Sequence, residues 1–465
     1  MKQRRTPRTT KRPRNPQPGK AQAVPRELPQ ITEPVAIEKP IYGGAFLARV
    51  EGKAVFVPLT LPGEQVLIHV TDDKGAYATA EADAIVTPSP QRTMPACRHF
   101  GACGGCHYQH ASYPAQIAFK QAILRETLTR AGVNPPEQIT VLAAETEAHS
   151  WAYRNRLRLA FSADGTPGYR GRRSHAVVPI AECPIAAPAL VSSPAIFADI
   201  ARRHSPSLRP TELSLFTNAD ETSMLATVFT SSATPAQFEE FASAVAEEIS
   251  ALKGVDLVSE GRGSDRNQSR QPRTVARWGQ ESISYRAAGF DYRVDHGAFF
   301  QVNRWLVDGL VAQVCANYRG QLAWDLFAGV GLFARQLTAR FASVVAVESA
   351  PPAVASLEEN LRGTTGSAVR SSTLDFLRQK SKPRAAVAPD LIVVDPPRTG
   401  LGPEITTLLG AIAAPALVYV SCDPATLARD LRALLATGYS LHSVALADLF
   451  PHTYHLETVV HLRRA

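Results

Sequence analysis

From residue 296 to the C-terminus, short apolar runs alternate with segments of helical period. Strand-like runs lie at 322–327, 343–348, 391–395, 416–421, 441–446 and 458–462, and helical patterns at 305–318, 332–340 and 353–362. Runs such as Leu391-Ile392-Val393-Val394 and Leu417-Val418-Tyr419-Val420 have no polar alternation, as expected of strands buried on both faces. The pattern predicts a doubly wound α/β domain over 296–465.

Residues 34–90 have a different rhythm. Val35-Ala36-Ile37, Phe46 to Val50, Ala54 to Pro58, Val66 to Val70 and Tyr77 to Ala82 are short β-like runs. Gly43-Gly44, Glu51-Gly52-Lys53, Pro62-Gly63-Glu64 and Asp72 to Gly75 punctuate them as turns, and the whole predicts a small β-barrel over 31–92. Residues 93–295 form a central domain of α+β character, with strands at 213–216 and 224–229, a helix near 235–251 and a polar loop around 259–275. No internal repeat is evident.

A chain of 465 residues with 45% hydrophobic side chains is long enough for two or three cores. No run approaches the roughly 18 apolar residues of a membrane span, and the N-terminus lacks a secretory apolar stretch. A cytoplasmic, non-membrane protein is expected, and nothing in the pattern signals more than a monomer. The formal charge of +8 resides in residues 1–30, which hold nine Lys or Arg against Glu27 alone. This proline-rich head is expected to be a disordered arm suited to a polyphosphate such as RNA; the alternative is a solubilising tail or a targeting remnant.

Four of the six cysteines fall into one framework, Cys97, Cys103, Cys106 and the distant Cys183. Disulfides are not expected in a reducing compartment. Three clustered thiols with a distant Cys-Pro suit an iron–sulfur cluster, with zinc and unliganded thiols as alternatives. Arg154, Arg156 and Arg158 alternate along a strand beside Trp151, Tyr153 and Phe161, and Arg170, Arg172 and Arg173 follow. They read either as a phosphate track or as a charged edge face.

The predicted strand ends carry the remaining chemistry. Gly329-Val330-Gly331-Leu332-Phe333-Ala334 fits G-x-G-x-x-G/A after a strand, and Glu348 ends the next one, as a nucleotide site requires. Either NAD or S-adenosylmethionine fits the glycines. Asp325 favours the latter, since a carboxylate suits an ammonium or sulfonium better than a pyrophosphate. Asp395 ends another strand. Cys422 follows the run 417–421, where it reads as a nucleophilic thiol or as a buried strand-end cysteine, and Cys315 falls on a helix as a core residue.

The run Val55 to Pro58 followed by Leu61-Pro62-Gly63-Glu64 resembles the TRAM domain, a small RNA-binding barrel. Beyond it, the cysteine framework, Phe300-Gln301-Val302-Asn303, Asp325-Leu326-Phe327 with its glycines, Asp395-Pro396-Pro397-Arg398, Ser421-Cys422-Asp423-Pro424 and His455 to Val459 resemble the RNA (uracil-5-)-methyltransferase family, most closely its bacterial 23S ribosomal RNA members. The resemblance covers nearly the whole chain. It implies a TRAM barrel, a central domain with a [4Fe-4S] cluster on Cys97, Cys103, Cys106 and Cys183, and a Rossmann-like class I methyltransferase domain. It implies Cys422 as nucleophile towards uracil C6 and Glu457 as the base that removes the C5 proton. Gln301, Phe327, Glu348, Asp375 and Asp395 would bind S-adenosylmethionine, and Phe299 or Phe300 would stack on a flipped uridine. Ribosomal RNA is the expected substrate and the T-loop of transfer RNA the rival. An NAD-dependent oxidoreductase and a non-catalytic RNA-binding iron–sulfur protein are the readings of other classes.

Overall fold

The computed structural model describes residues 31–205, 207–231, 235–259, 273–381 and 388–464; the basic arm lies outside them. Strands β1 (Val35–Pro40), β2 (Ala45–Val50), β3 (Lys53–Pro58), β4 (Gln65–Asp73) and β5 (Tyr77–Thr87) close into a barrel in the order β1-β2-β3-β5-β4. Its core is the inward set Phe46, Val55, Val57, Val66, Ile68, Ala78 and Ala80, the period-2 half of each strand. Buried Glu64 fixes the β3–β4 turn: it pairs with Arg92 at 2.6 Å and accepts from the Leu61 and Ser89 amides at 2.8 and 3.1 Å.

Helix α1 (Tyr113–Arg130) lies between two cores. Ala115 and Phe119 pack on the barrel, whereas Ile123, Leu124 and Leu128 pack beneath the C-terminal sheet. The short strand β6 (Thr140–Leu142) then joins the edge of that sheet.

The central sheet is built from β7 (Arg156–Phe161), β8 (Pro167–Arg170), β9 (Val177–Pro179), β10 (Pro210–Thr217), β11 (Met224–Thr230), β12 (Leu252–Ser259) and β13 (Arg273–Gly279), ordered β13-β12-β11-β10-β7-β8-β9. Helices α2 (Pro188–His204) and α3 (Pro235–Glu248) cover one face of it, where Phe197, Phe238 and Phe241 meet Leu157, Leu213 and Leu215. The hairpin β14 (Ser282–Ala287) and β15 (Phe290–Asp295) follows, and its Tyr285 and Tyr292 belong to the core of the C-terminal domain.

The C-terminal domain runs α4 (Val307–Cys315), β16 (Gly320–Leu326), α5 (Leu332–Leu337), β17 (Phe341–Glu348), α6 (Pro351–Leu361), β18 (Gly366–Arg370), α7 (Thr373–Lys380), β19 (Leu391–Val394), α8 (Gly402–Ile412), β20 (Ala416–Ser421), α9 (Pro424–Ala436), β21 (Tyr439–Ala447) and β22 (Glu457–Arg464). The sheet order is β18-β17-β16-β19-β20-β22-β21-β6, with β16 to β20 parallel and β22 antiparallel to both its neighbours. The strand order reverses between β16 and β19, so their C-terminal ends open onto the crevice where doubly wound sheets bind ligands. The expected α/β architecture behind a small barrel is thus present. Among the described residues no helix is long and apolar enough to cross a membrane.

Candidate active site

At the end of β16, Asp325 is fully buried. Its Oδ2 accepts from the Ala334 amide at 2.8 Å, while Oδ1 has no hydrogen-bond partner. Burial, reinforced by Asp395 and Glu348, raises this carboxyl to about 8. A buried carboxylate oxygen left unsatisfied beside a ligand crevice suits a cationic ligand group. Phe327, next in the loop, holds a left-handed φ of 64°, a strained state for a non-glycine residue that clusters at functional sites. Gly331 has φ 88°, and a Cβ there would stand 2.6 Å from Leu357 Cδ1, so the tight turn needs glycine.

Glu348, at the end of β17, accepts from the Gly329 amide at 2.9 Å and from the Ser349 and Ala350 amides at 2.6 and 2.8 Å. It thereby ties the glycine loop to the start of α6. Asp375 lies in the first turn of α7, exposed, with its Oδ1 3.4 Å from Arg378. Gln301 is buried, and its amide donates to Asp395 Oδ2 at 3.4 Å. Gln301, Asp325, Glu348 and Asp395 thus lie near one another at the C-terminal ends of β16, β17 and β19, with Phe327 just after β16 and Asp375 on the helix that follows β18. Leu332 packs in the core and presents no polar group.

Cys422 and Glu457 meet through strand register. In the antiparallel pair β20–β22, Ser421 lies opposite Thr458. The next residue on one strand and the preceding one on the other, Cys422 and Glu457, are therefore brought together at the sheet's C-terminal edge. Burial, then Glu457 and Asp395, push the Cys422 thiol up to about 12, and Arg398 opposes them. Glu457 is itself raised well above the carboxylate range by burial and by Asp395, and burial raises Asp395 to about 7. Burial and the two carboxyls thus disfavour the Cys422 thiolate, and Arg398 favours it. Asp423 caps α9, accepting from the Ala425 and Thr426 amides at 3.0 and 2.9 Å, which fixes the turn behind Cys422.

The loop leading to Glu457 is gripped from the N-terminal half. The His107 and Tyr108 amides donate to the His452 carbonyl at 2.8 and 2.9 Å, and the Tyr153 hydroxyl donates to Pro451 O at 3.1 Å. The His452 amide donates to Gln116 Oε1 at 2.8 Å, and the Trp151 ring stacks on His452 at 3.7 Å. None of these contacts has a local sequence signal, because each joins residues some 300 positions apart.

All four framework cysteines line one small pocket together with Arg154, Tyr169 and Gln109. Among the described residues no group of three or more His, Cys, Asp or Glu side chains is set to hold a single metal ion. The donor set nevertheless suits a multinuclear thiolate centre: four thiols are gathered, and the buried Arg154 guanidinium faces Cys183 and Cys106 and can offset their charge.

The arginine strand departs from the expected track of three exposed cations. Arg154 turns to the cysteine pocket, Arg156 donates to Ala298 O at 2.7 Å and lies over Phe216, and Arg158 pairs with Glu212 at 2.6 Å. A groove of about 650 Å³ still runs beside them, lined by Arg158, Arg170, Arg172, Arg173, His107 and Tyr454. Its cations and rings suit a single-stranded nucleic acid. Phe300 is also no base platform. It is 2% exposed and packs on Tyr285 at 4.4 Å, whereas Phe299 is 56% exposed. Cys315 is buried in the core.

The TRAM domain profile matches residues 31–82, and that of the tRNA (Uracil-5-)-methyltransferase family matches residues 274–465. The 23S rRNA (uracil(1939)-C(5))-methyltransferase RlmD of Pectobacterium atrosepticum is 34% identical over 459 residues, covering 94% of each chain. An RNA methyltransferase of Nitratidesulfovibrio vulgaris is 31% identical over 92% of this chain and 95% of its own. The structure of Pyrococcus abyssi tRNA (uracil-54, C5)-methyltransferase in complex with S-adenosyl-L-homocysteine superposes with a TM-score of 0.72 over 92% of this chain and all of that one, at 23% identity, and shares the fold. At this identity over nearly the whole chain, with the barrel and the C-terminal domain each matched, the chain belongs to the RNA uracil-5-methyltransferase family.

Proposed function

We propose that the protein methylates C5 of a uridine in 23S ribosomal RNA, with S-adenosylmethionine held by Gln301, Asp325, Phe327, Glu348, Asp375 and Asp395. The observation that carries this reading is the meeting of Cys422, Glu457, Asp395 and Arg398 at one sheet edge, beside the glycine loop. The relatives named for 23S rRNA support the ribosomal substrate.

Uracil C5 is too weak a nucleophile to take a methyl group unaided. Cys422 gives its proton to solvent, its thiolate forms a bond to C6, and the ring electrons move into an enolate with density at C5. The cofactor supplies an electrophilic methyl group, which C5 accepts as the methyl–sulfur bond breaks with its electron pair left on sulfur. Glu457 then takes the C5 proton, the C5–C6 double bond re-forms, and the thiolate leaves. Burial makes the ionised Glu457 carboxylate a stronger base than an exposed one, as this step requires. Arg398 stabilises the thiolate.

Cys97, Cys103, Cys106 and Cys183 would hold a [4Fe-4S] cluster. Methyl transfer by this route is redox-neutral, so the cluster supplies structure: it would fix the loop whose His107 and Tyr108 amides hold His452 ahead of Glu457.

The test is denaturing electrophoresis after incubation with ribosomal RNA fragments containing 5-fluorouridine and S-adenosylmethionine. Fluorine at C5 cannot leave as a proton does, so the adduct accumulates. A shifted band that needs both Cys422 and the cofactor is expected. A band with transfer RNA alone would replace the substrate, and no band with either RNA would overturn the reading.

A further inference from the structure

We propose that Tyr42, contributed by the N-terminal barrel, is a positioning residue for Cys422, so that the barrel forms one wall of the reaction crevice. The proposal rests on Cys422 being the nucleophile. Tyr42 stands in the β1–β2 connection, where Gly43 and Gly44 both take left-handed φ values, 106° and 87°. The turn packs tightly on the cysteine-rich segment: a Cβ on Gly44 would stand 2.8 Å from the His107 ring. The tyrosine hydroxyl donates to the Cys422 carbonyl at 3.5 Å across 380 residues of sequence. It also faces the Asp423 carboxylate, and burial together with that carboxylate holds it protonated, well above its ordinary value.

The ring is held independently of the hydroxyl. It meets Tyr454 edge-on at 5.4 Å, Tyr454 contacts His107 at 4.6 Å and His455 at 4.2 Å, and His455 Nδ1 lies 3.4 Å from Arg398. Tyr42 therefore touches the nucleophile's turn on one side. On the other it touches the segment that leads to Glu457 and is linked through His455 to the cation that favours the thiolate. The same turn is also fixed by the Asp423 side chain, which caps α9. The hydrogen bond from Tyr42 restricts the rocking of the Cys422 backbone, and the direction of its thiol, before the C6 bond forms.

The experiment measures single-turnover adduct formation with 5-fluorouridine RNA at saturating RNA and cofactor, with RNA affinity and melting measured alongside. Tyr42→Phe keeps the ring and its Tyr454 contact and removes only the hydroxyl. The expected result is an adduct rate reduced about three- to tenfold, the loss of one hydrogen bond, with RNA affinity and melting unchanged. Tyr42→Ala should be slower still. A wild-type rate in Tyr42→Phe, with Cys422→Ala forming no adduct, would overturn the positioning role and leave the nucleophile in place. A defect that vanishes at saturating RNA would overturn it too, making Tyr42 an RNA contact. Adduct formation by Cys422→Ala would remove the reading on which the proposal stands.

Discussion

Lys120 of α1 and Asp448, nine residues ahead of Glu457, form an ion pair in which both side chains are fully buried. Lys120 also donates to Phe450 O at 2.8 Å, and the Tyr113 hydroxyl donates to the second Asp448 oxygen at 2.8 Å. The pair pins the end of β21, and with it the start of the loop that carries Glu457, to a helix of the N-terminal half. Removing one partner strands the other without water. Lys120→Met should destabilise the protein by about 3–5 kcal/mol, and replacing both residues by apolar ones should recover much of that loss. Urea denaturation of the two variants checks the stability. If register between α1 and the Glu457 loop is what the pair supplies, the double variant should regain stability without regaining full turnover.

Asp325 should make cofactor binding pH-dependent. Its folded value of about 8 lies above the ordinary 3.8, so between those values the free folded protein keeps a proton that the unfolded chain has released. Stability from this group therefore falls as pH rises towards 8. A cationic ligand prefers the ionised form, and its binding expels that proton. From pH 6 to 7.5, below the titration of the ligand's own amino group, affinity for S-adenosylmethionine should tighten by up to about tenfold per unit. Calorimetry in buffers of different ionisation enthalpy should show proton release. Asp325→Asn should bind weakly and lose the slope; a slope unchanged in that variant would assign the proton elsewhere.

The cysteine framework predicts an iron content. Protein purified without oxygen should carry about four irons and four sulfides per chain. Cys183→Ser should lose them and lower the melting temperature, and it should weaken the hold of His107 and Tyr108 on His452, reducing turnover even where the protein remains folded. Metal analysis and thermal unfolding of the variant check this. Unchanged iron and melting would exclude Cys183 as a ligand.

The parallel strands were legible in sequence because they are buried on both faces: Leu391 to Val394 and Leu417 to Val420 are all fully buried. The position of Asp325, Asp395 and Cys422 at the ends of these runs was legible with them, but Glu457, which opens an antiparallel strand, was marked only by the family resemblance. Helix α1 was not, because Phe119 serves one core and Ile123 and Leu124 another, which leaves no single apolar stripe. Strand β6 is three residues on an edge, too short to show a period. Alternation placed Arg154, Arg156 and Arg158 on one face, but could not show that the first faces the cysteine pocket and the second lies against Ala298. Tyr42 had only its two glycines to mark it.

Glu457 offers the sharpest test of the order of steps. Its place opposite Cys422, with Ala447 paired to it across β21, leaves it buried at the sheet edge. If it removes the C5 proton, Glu457→Gln should still allow the thiolate to add and C5 to take the methyl group. The next step then fails, because an amide cannot accept that proton. Turnover should fall by about 10²–10⁴-fold. A complex stable to denaturing electrophoresis should accumulate with ordinary uridine RNA, carry the methyl label, and depend on Cys422. The wild type should leave no such complex with ordinary RNA. If Glu457→Gln gave neither product nor complex, the carboxyl would be acting before methyl transfer, as acceptor of the Cys422 proton; if it turned over normally, the base would have to be sought at Asp395.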